Sequence, residues 1–277
     1  MEGSFKRDDT PEVIYRYRSF DNEAHLNTIE RGGFWFAHAD SFNDPFDLSW
    51  GFDYSGNRGL KIRWAKDFLR RDRPDLNEQE RNKLASEKIK MLENNPKERR
   101  RRENNIVEIT KNKFGICAMS AVRDDILMWS HYASNHSGFC VGLNKSKLYE
   151  IARNRARYQR DVLDLYQVEY NKNIPQINFY ESMLSNRPDI AIPFIKTKSK
   201  HWSYEKEYRL VLWGKTSTPY PIGIEAVDEI ILGCKILPKN KSRVISIVKG
   251  KSHPIRLIQA EKHPERFELS LKEIIDA

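Results

Sequence analysis

The sequence predicts an α+β fold: a mixed, mainly antiparallel β-sheet with flanking helices and a charged helical insertion. Short runs rich in β-branched and aromatic residues recur along the chain and are typical of strands. Helical segments lie between them at irregular intervals, whereas a doubly wound parallel sheet needs regular alternation of strand and helix. A charge-rich segment at 58–113 interrupts this pattern, and its few apolar residues recur at helical spacing. We therefore expect one domain over residues 1–277 with an insertion at about 58–113.

The local patterns place the individual elements. In VIYRYRSF, alternation puts Tyr15 and Tyr17 on one face of the first strand and Arg16 and Arg18 on the other. The pair Gly32-Gly33 supplies a left-handed turn that ends the first helix. The predicted strands lie at 13–20, 34–39, 114–121, 138–144, 165–171, 204–214, 225–234 and 253–263. The predicted helices lie at 23–31, around Trp64 and Phe68, and at 77–92, 124–133, 148–156, 176–185 and 242–250.

The composition indicates a folded, basic protein. Hydrophobic residues make up 39% and aromatic residues 11% of the chain, which excludes a disordered polypeptide. The net charge of +9, from 48 Lys+Arg against 39 Asp+Glu, favours contact with polyanions such as nucleic acid. No run of about 18 apolar residues occurs and the N-terminus lacks an apolar signal region, so we expect a cytoplasmic protein without membrane contact. Cys117, Cys140 and Cys234 lie in separate apolar runs and predict buried side chains.

The first of three polar motifs is FNDPFD at 42–47. Asn-Asp-Pro is favourable turn chemistry, because Asx side chains bond to nearby backbone and proline fixes φ. The rings of Phe42 and Phe46 can anchor such a turn in the core. The same loop can instead hold Asn43 and Asp44 against a ligand, and both interpretations remain open.

The second motif, MWSHYASNH at 128–136, concentrates aromatic and small polar residues. Trp129 and Tyr132 can stack on a planar ring, and Ser130 can bond to its edge. Two histidines five residues apart share no helix face, so His131 and His136 do not predict a helical metal pair. The alternative is a buried tryptophan and histidine with satisfied partners.

The third motif is HWSYEKEYR at 201–209. In a strand, Glu205, Glu207 and Arg209 point the same way. Two neighbouring carboxylates raise each other's pKa unless a cation lies between them. A carboxylate pair of this kind can stabilise an oxocarbenium ion. The alternative is an exposed strand face covered by salt-bridged charges.

The insertion contains the strongest basic run of the chain. Its members are Arg99, Arg100, Arg101 and Arg102. The run predicts contact with nucleic acid or, alternatively, a solvated helix end or loop.

The three motifs in combination resemble an uncharacterised bacterial family, domain of unknown function 2971, through NDPFD, MWSHY and WSYEKEYR. The resemblance covers most of the chain apart from the insertion. Members occur among phage-defence and mobile genes. The resemblance therefore implies a toxin or phage-defence effector, with an antitoxin or defence protein as a partner.

A second resemblance lies at the N-terminus, where YRYRSFDN is similar to the opening Y-H-x-T-H-x-D-N of DNA-modifying ADP-ribosyltransferase toxins. It implies a split, ADP-ribosyltransferase-like sheet, NAD as cofactor and transfer of ADP-ribose to nucleic acid or protein. It also implies that Arg16 binds NAD, that Ser130 and Tyr132 line the nicotinamide pocket, and that Glu207 is catalytic with Glu205 as its partner. The chain lacks the Ser-Thr-Ser motif of that superfamily. The full predicted set is Glu207, Glu205 and His131 for catalysis, and Arg16, Tyr17, Arg18, Asn43, Asp44, Trp129, Ser130, Tyr132 and His136 for NAD.

Two other functions remain open. In a metal-dependent nuclease, Asp44, Asp47, Glu205 and Glu207 would bind Mg²⁺ and His131 would act as base. In a non-catalytic defence module, the same polar residues would bind a ligand or partner. Phosphate-binding glycine loops, GxSxG, HExxH and EF-hand loops are absent from the sequence, so motif-defined enzyme classes have no support.

Overall fold

The computed structural model describes residues 11–159, 161–185 and 188–274. Its strands are β1 (Val13–Arg18), β2 (Gly33–Phe36), β3 (Gly51–Asp53), β4 (Phe114–Ser120), β5 (Phe139–Asn144), β6 (Leu163–Gln167), β7 (Glu169–Asn171), β8 (Gln176–Asn178), β9 (Thr197–Ser199), β10 (Glu207–Trp213), β11 (Thr218–Pro221), β12 (Val227–Leu232), β13 (Arg256–Lys262) and β14 (Leu269–Glu273). Its helices are α1 (Asn27–Glu30), α2 (Arg58–Asp72), α3 (Glu78–Asn94), α4 (Pro96–Lys111), α5 (Ile126–Tyr132), α6 (Lys145–Gln159), α7 (Phe179–Ser185), α8 (Ile192–Lys196) and α9 (Pro238–Lys249).

One large sheet dominates the described part of the chain. Its eight strands follow the order β14-β13-β12-β5-β1-β4-β10-β6. Every neighbouring pair is antiparallel except β12 and β13, which are joined through α9 and run parallel. Three two-stranded sheets, β11-β2, β3-β8 and β7-β9, lie beside it. The prediction of a mixed, mainly antiparallel sheet with flanking helices is confirmed.

The two faces of this sheet bury different sets of side chains. Ile14 of β1 belongs to the larger apolar cluster, which α6 and α9 cover with residues such as Leu148 and Val248. Tyr15 and Tyr17 belong to a second cluster beneath α5. The predicted alternation of β1 is therefore confirmed. Cys117 in β4 and Cys140 in β5 are fully buried, as expected for small apolar side chains, whereas Cys234 is only partly buried and that prediction was wrong.

The sheet opens between β1 and β4. β1 pairs with β5 along its whole length, but it pairs with β4 at one position, Tyr15 opposite Ser120. Further along β4, Ile116 pairs instead with Ala37, just beyond β2. The guanidinium of Arg16 reaches into the gap and donates a hydrogen bond to the carbonyl of Ala118. A cleft between the two strands results.

The charged insertion consists of the three helices α2, α3 and α4. Asn77 caps α3 in a capping box with Glu80, and Asn95 caps α4 directly before Pro96. These helices, together with α7, bury their own apolar cluster around Trp64. The basic run at 99–102 lies inside α4, whereas the sequence suggested a helix end or loop.

Three local predictions were wrong. The predicted strand at 204–214 begins only at Glu207, because a 3₁₀ turn covers Lys200–Glu205 and Lys206 adopts a left-handed conformation with φ of 41°. The segment 176–178 forms β8 rather than the start of a helix. Phe46 is 69% exposed and does not anchor its turn, while Phe42 is partly buried against the core. Within the described ranges, the helices are all too short or too polar to cross a membrane.

Candidate functional site

The gap between β1 and β4 holds a cavity of about 380 Å³, here called the cleft. This volume lies at the lower end of the range for small-molecule sites. The predicted site residues that line it are Arg16, Tyr17, Arg18, Asn43, His131, Tyr132, Glu205 and Glu207. The long-range convergence on which the functional hypotheses depend is therefore present: the N-terminal arginines, the α5 motif and the late acidic pair share one cavity.

One wall of the cleft is cationic. Arg18 is only 7% exposed, its Nε has no hydrogen-bond partner, and among the described residues no carboxylate pairs with it. Burial and the neighbouring Arg16 lower the pKa of Arg18 to about 9, so the guanidinium stays charged at neutral pH. The Nε of Arg16 likewise has no hydrogen-bond partner within the described part of the chain. Burial, with the two arginines adding to it, lowers the pKa of nearby His25 and keeps that imidazole neutral at pH 7.

Five charged groups, called here the ion cluster, lie at the opposite wall: Lys198, Glu205 and Glu207 line the cavity, and Asp47 and Arg209 pair with them from outside the lining. Its members are the carboxylates of Asp47, Glu205 and Glu207 and the cations Lys198 and Arg209. All five side chains are at most 4% exposed. Formal charges of −3 and +2 leave one negative charge on this wall. A buried net charge is unfavourable unless a further group compensates it.

Arg209 is the most completely bonded member of the ion cluster. Its Nη2 donates to both carboxylate oxygens of Asp47 at 2.7 and 2.8 Å, and its Nε donates to Glu207 Oε1 at 2.8 Å. Its Nη1 donates to the carbonyl of Ile195 at 2.9 Å. This arginine ties the turn at 42–47 to strand β10.

Lys198 links the two glutamates of the ion cluster. Its Nζ lies 2.5 Å from Glu205 Oε2 and 2.9 Å from Glu207 Oε2. Burial alone would lower the pKa of Lys198, but the surrounding carboxylates outweigh burial and raise it. The lysine is therefore a fixed cation and not a nucleophile at neutral pH.

The two glutamates have opposite protonation tendencies. Burial would raise the pKa of Glu207, but Arg209 and Lys198 outweigh burial and lower that pKa to about 2. For Glu205, burial prevails over the stabilising bonds from Lys198 and Tyr132, and the pKa is raised. Two carboxylates with diverging pKa values in one cleft are typical of functional sites.

Local backbone geometry brings these glutamates together. The left-handed Lys206 turns the chain between the 3₁₀ turn and β10, so both flanking glutamates reach Lys198. The hydroxyl of Ser120 donates to the backbone carbonyl of Glu205 at 2.6 Å, and the backbone N–H of Glu207 donates to the hydroxyl oxygen of Tyr170 at 2.7 Å. Both anchors come from segments distant in sequence.

The helix α5 supplies the third side of the cleft. Asp125 caps it by accepting bonds from the backbone N–H groups of residues 127 and 128. The indole of Trp129 donates to the carbonyl of Arg123 at 2.9 Å and packs edge-on against Tyr17. The hydroxyl of Tyr132 donates to Glu205 Oε1 at 2.5 Å, while His131 is exposed at the mouth. The helix is thus anchored where Tyr132 meets the ion cluster.

The other predicted site residues lie outside the cleft lining. These are Asp44, Trp129, Ser130 and His136. Asp44 accepts a bond from the backbone N–H of Phe46 at 2.9 Å, which is the turn role that the sequence allowed. Trp129 is fully buried on the inner side of α5. His136 adopts a left-handed conformation in the turn after α5.

The basic run lies on the insertion and is partly neutralised. Arg101 and Arg102 both pair with Glu98, at 2.9 and 2.8 Å. Arg99 lies over the ring of Tyr54 at 5.1 Å, and Arg100 is exposed. Contact between this run and nucleic acid stays a prediction.

Sequence reasoning missed Lys198 and His25. Lys198 stands in the polar string KTKSK, where a lysine normally indicates a solvated surface. A usable signal was the aspartate pair of FNDPFD, which has no basic residue within the motif and needs a cation from another segment if it is buried. His25 lies one turn after the strand that carries Arg16 and Arg18. A strand–turn–helix unit folds back on itself, so His25 could have been expected near these arginines.

The carboxylates of the nuclease hypothesis do not form a metal-binding group. Among the described residues no cluster of three or more His, Cys, Asp or Glu side chains is placed to hold a metal ion. Asp47, Glu205 and Glu207 direct their oxygens to Lys198 and Arg209 instead.

Fold and site together define a basic α+β protein with a charged cleft in an opened, mainly antiparallel sheet. Residues 128–210 match the model of a protein family of unknown function, DUF2971, which confirms the predicted family resemblance over the second and third motifs, whereas NDPFD lies outside the matched segment. The matched segment contains most of α5, Lys198 and the acidic pair. No curated protein and no solved structure matches the chain. The likeness to ADP-ribosyltransferases stays a prediction.

Proposed function

We propose that the chain is an NAD-dependent ADP-ribosyltransferase, a toxin or phage-defence effector that modifies nucleic acid or protein. The observation that carries this proposal is the opposite, uncompensated charge on the two walls of one cleft. Arg16 and Arg18 have no carboxylate partner among the described residues, while the ion cluster facing them carries one formal negative charge in excess. A ligand with an anionic part and a cationic part satisfies both walls.

The arginine wall suits the diphosphate of NAD. Guanidinium groups form paired, charge-assisted hydrogen bonds to phosphate oxygens, and such bonds are strongest away from water. Arg18 is buried, and its Nε has no hydrogen-bond acceptor among the described residues. A phosphate oxygen would supply the acceptor that the described chain does not provide. This fit is independent of the sequence resemblance.

The ion cluster suits the nicotinamide ribose. Cleavage of its glycosidic bond develops positive charge on the sugar, and a preorganised carboxylate lowers the energy of that charged transition state. The excess negative charge of the cluster lies beside Tyr132, whose ring lines the same cavity. An aromatic ring beside the carboxylate can support the planar nicotinamide.

In the proposed reaction, the bond between ribose C1′ and the nicotinamide nitrogen breaks, and its electron pair leaves with nicotinamide. A bond forms between C1′ and a nucleophilic atom of the acceptor, which loses one proton. His131, exposed at the cleft mouth, is the group we assign to receive that proton. The products are nicotinamide, the ADP-ribosylated acceptor and the released proton.

The opening between β1 and β4 supports the finer fold proposal of an ADP-ribosyltransferase-like split sheet. Each wall of the cleft comes from one side of that opening: the arginines from β1, and Glu207 from β10 beyond β4. A nucleic-acid acceptor also agrees with the net charge of +9. The role in defence, and with it an antitoxin or defence partner, is supported by the family resemblance alone.

The test is release of nicotinamide from NAD, measured by chromatography with single-stranded DNA, RNA and a protein mixture offered as acceptors. We expect release and a mass gain on one acceptor, with at least a hundredfold loss in Arg18→Leu. Glu169→Gln, whose side chain is 70% exposed, is the matched surface control and should keep full activity. Folded protein that releases no nicotinamide with any of these acceptors would overturn the proposal.

A further inference from the structure

The two glutamates of the cleft have different bonding capacity left for a ligand. Glu207 already accepts three bonds, two from Arg209 and one from Lys198. Glu205 accepts two side-chain bonds, one on each oxygen, from Tyr132 and Lys198. A carboxylate offers about four acceptor positions, so Glu205 has more of them free.

The cations that hold these glutamates also differ. Glu207 is held by two buried cations, and Arg209 in turn is fixed by Asp47 at 2.7 Å. Glu205 shares one cation, Lys198, with Glu207 and receives its other bond from a neutral hydroxyl. When Glu205 is ionised, the excess negative charge of the ion cluster is therefore located mainly at Glu205.

We infer that Glu205 is the carboxylate that contacts the ligand, and that Glu207, Lys198 and Tyr132 are positioning residues that act through it. This inference rests on the proposed function and reverses the assignment suggested by the sequence resemblance, in which Glu207 was catalytic. Glu207 fixes Lys198, and Lys198 and Tyr132 hold one oxygen each of Glu205. The carboxylate then faces the cavity without freedom to rotate, as electrostatic stabilisation of a transition state requires.

Three substitutions separate these roles. In Glu205→Gln, the cluster loses its excess charge, so we expect at least a hundredfold lower kcat for nicotinamide release without a lower melting temperature. In Glu207→Gln, a residual activity should remain, but the protein should melt earlier because Arg209 loses a partner. Tyr132→Phe keeps the shape of the ring, and we expect a smaller loss of kcat with little change in KM for NAD.

The pH dependence of kcat distinguishes a positioning role from a structural one. A residue that only stabilises the fold would leave this dependence unchanged. The ionised form of Glu205 is the active form, so activity should rise with pH through its pKa. The bond from Tyr132 lowers that pKa and the charge of Glu207 raises it. The acidic limb should therefore move to higher pH in Tyr132→Phe and to lower pH in Glu207→Gln, while Glu169→Gln leaves it in place.

The outcomes distinguish this inference from the proposed function. If the wild-type protein releases nicotinamide but Glu205→Gln keeps its kcat within twofold, the assignment to Glu205 is wrong and the proposed function stands. If the wild-type protein releases none, the proposed function fails. In that case, the pKa of Glu205 is measured by carbon-13 titration of its carboxyl group in the ligand-free protein. A pKa that rises in Tyr132→Phe and falls in Glu207→Gln supports the positioning roles. An unchanged pKa in both variants overturns them.

Discussion

Two buried arginines lie on either side of strand β4 and have opposite surroundings. Arg209 on β10 is fully buried and bonded to two carboxylates and a carbonyl. Arg18 on β1 is 7% exposed, and no carboxylate of the described chain pairs with it. A protein gains no stability by burying an unpaired cation, whereas it loses much when one partner of a buried pair is removed. The difference favours a structural role for Arg209 and agrees with the proposed ligand-binding role of Arg18.

The largest effect should follow replacement of Arg209. In Arg209→Leu, Asp47 and Glu207 stay buried and lose the arginine that bonds to both of them, and we expect the free energy of unfolding to fall by about 3–5 kcal/mol. Urea denaturation measures this change. Arg101→Gln, at an exposed ion pair, is the control. A loss below about 1 kcal/mol would contradict the fold-serving role assigned to Arg209.

Acid should reduce the stability that Glu207 contributes through its bonds to Arg209 and Lys198. The pKa of Glu207 is lowered to about 2, so its contribution to stability is present above the ordinary glutamate pKa of about 4.5 and is lost as pH falls towards 2. We expect a loss on the order of a few kcal/mol over this window. Unfolding free energies measured at a series of pH values check it. Glu207→Gln should flatten the curve over this window, and an unchanged slope in that variant would refute the assignment.

Arg18 should behave in the opposite way. Arg18→Leu removes a buried charge without breaking an ion pair, so we expect a melting temperature equal to or above that of the wild type. Affinity for inorganic pyrophosphate should fall by about 10- to 100-fold, the range expected for loss of a charge-assisted hydrogen bond. Calorimetric titration and thermal melts measure the two quantities. A clear drop in melting temperature with unchanged affinity would make Arg18 a structural residue.

The smallest effect should occur at the surface of the insertion. Arg101 is 75% exposed and pairs with Glu98 on the same helix, where solvent screens the interaction. Arg101→Gln should therefore leave the urea midpoint within experimental error. A measurable decrease of the urea midpoint would show that exposed ion pairs also stabilise this protein. Arg101→Gln would then no longer be a neutral control for Arg209→Leu.

Much of the fold could be predicted from local patterns. Alternation in β1 assigned Tyr15 and Tyr17 to one face, and the helical spacing of the apolar residues at 77–92 predicted α3. The strands β4 and β5 followed from short apolar runs. These elements depend on neighbours in sequence, so the sequence alone contains the necessary signal.

The cleft was predicted less completely, because its geometry depends on contacts between distant segments. The left-handed conformation of Lys206 has no signal in the string YEKEY, where a strand is the natural expectation. Lys198 resembles a surface lysine until three carboxylates from other segments surround it. The sequence could propose that Arg16, Tyr132 and Glu207 converge, but it could not rank Glu205 above Glu207.

The single pairing position between β1 and β4 has a dynamic consequence. Backbone amides that face the opening lack a ladder partner on the other strand, so their deuterium uptake should be fast compared with that of β4 amides bonded to β10. A molecule that binds both Arg18 and Glu205 would link the two halves of the sheet. We expect such a ligand to slow isotope exchange of backbone amides on both sides of the opening, including amides that the bound molecule does not contact.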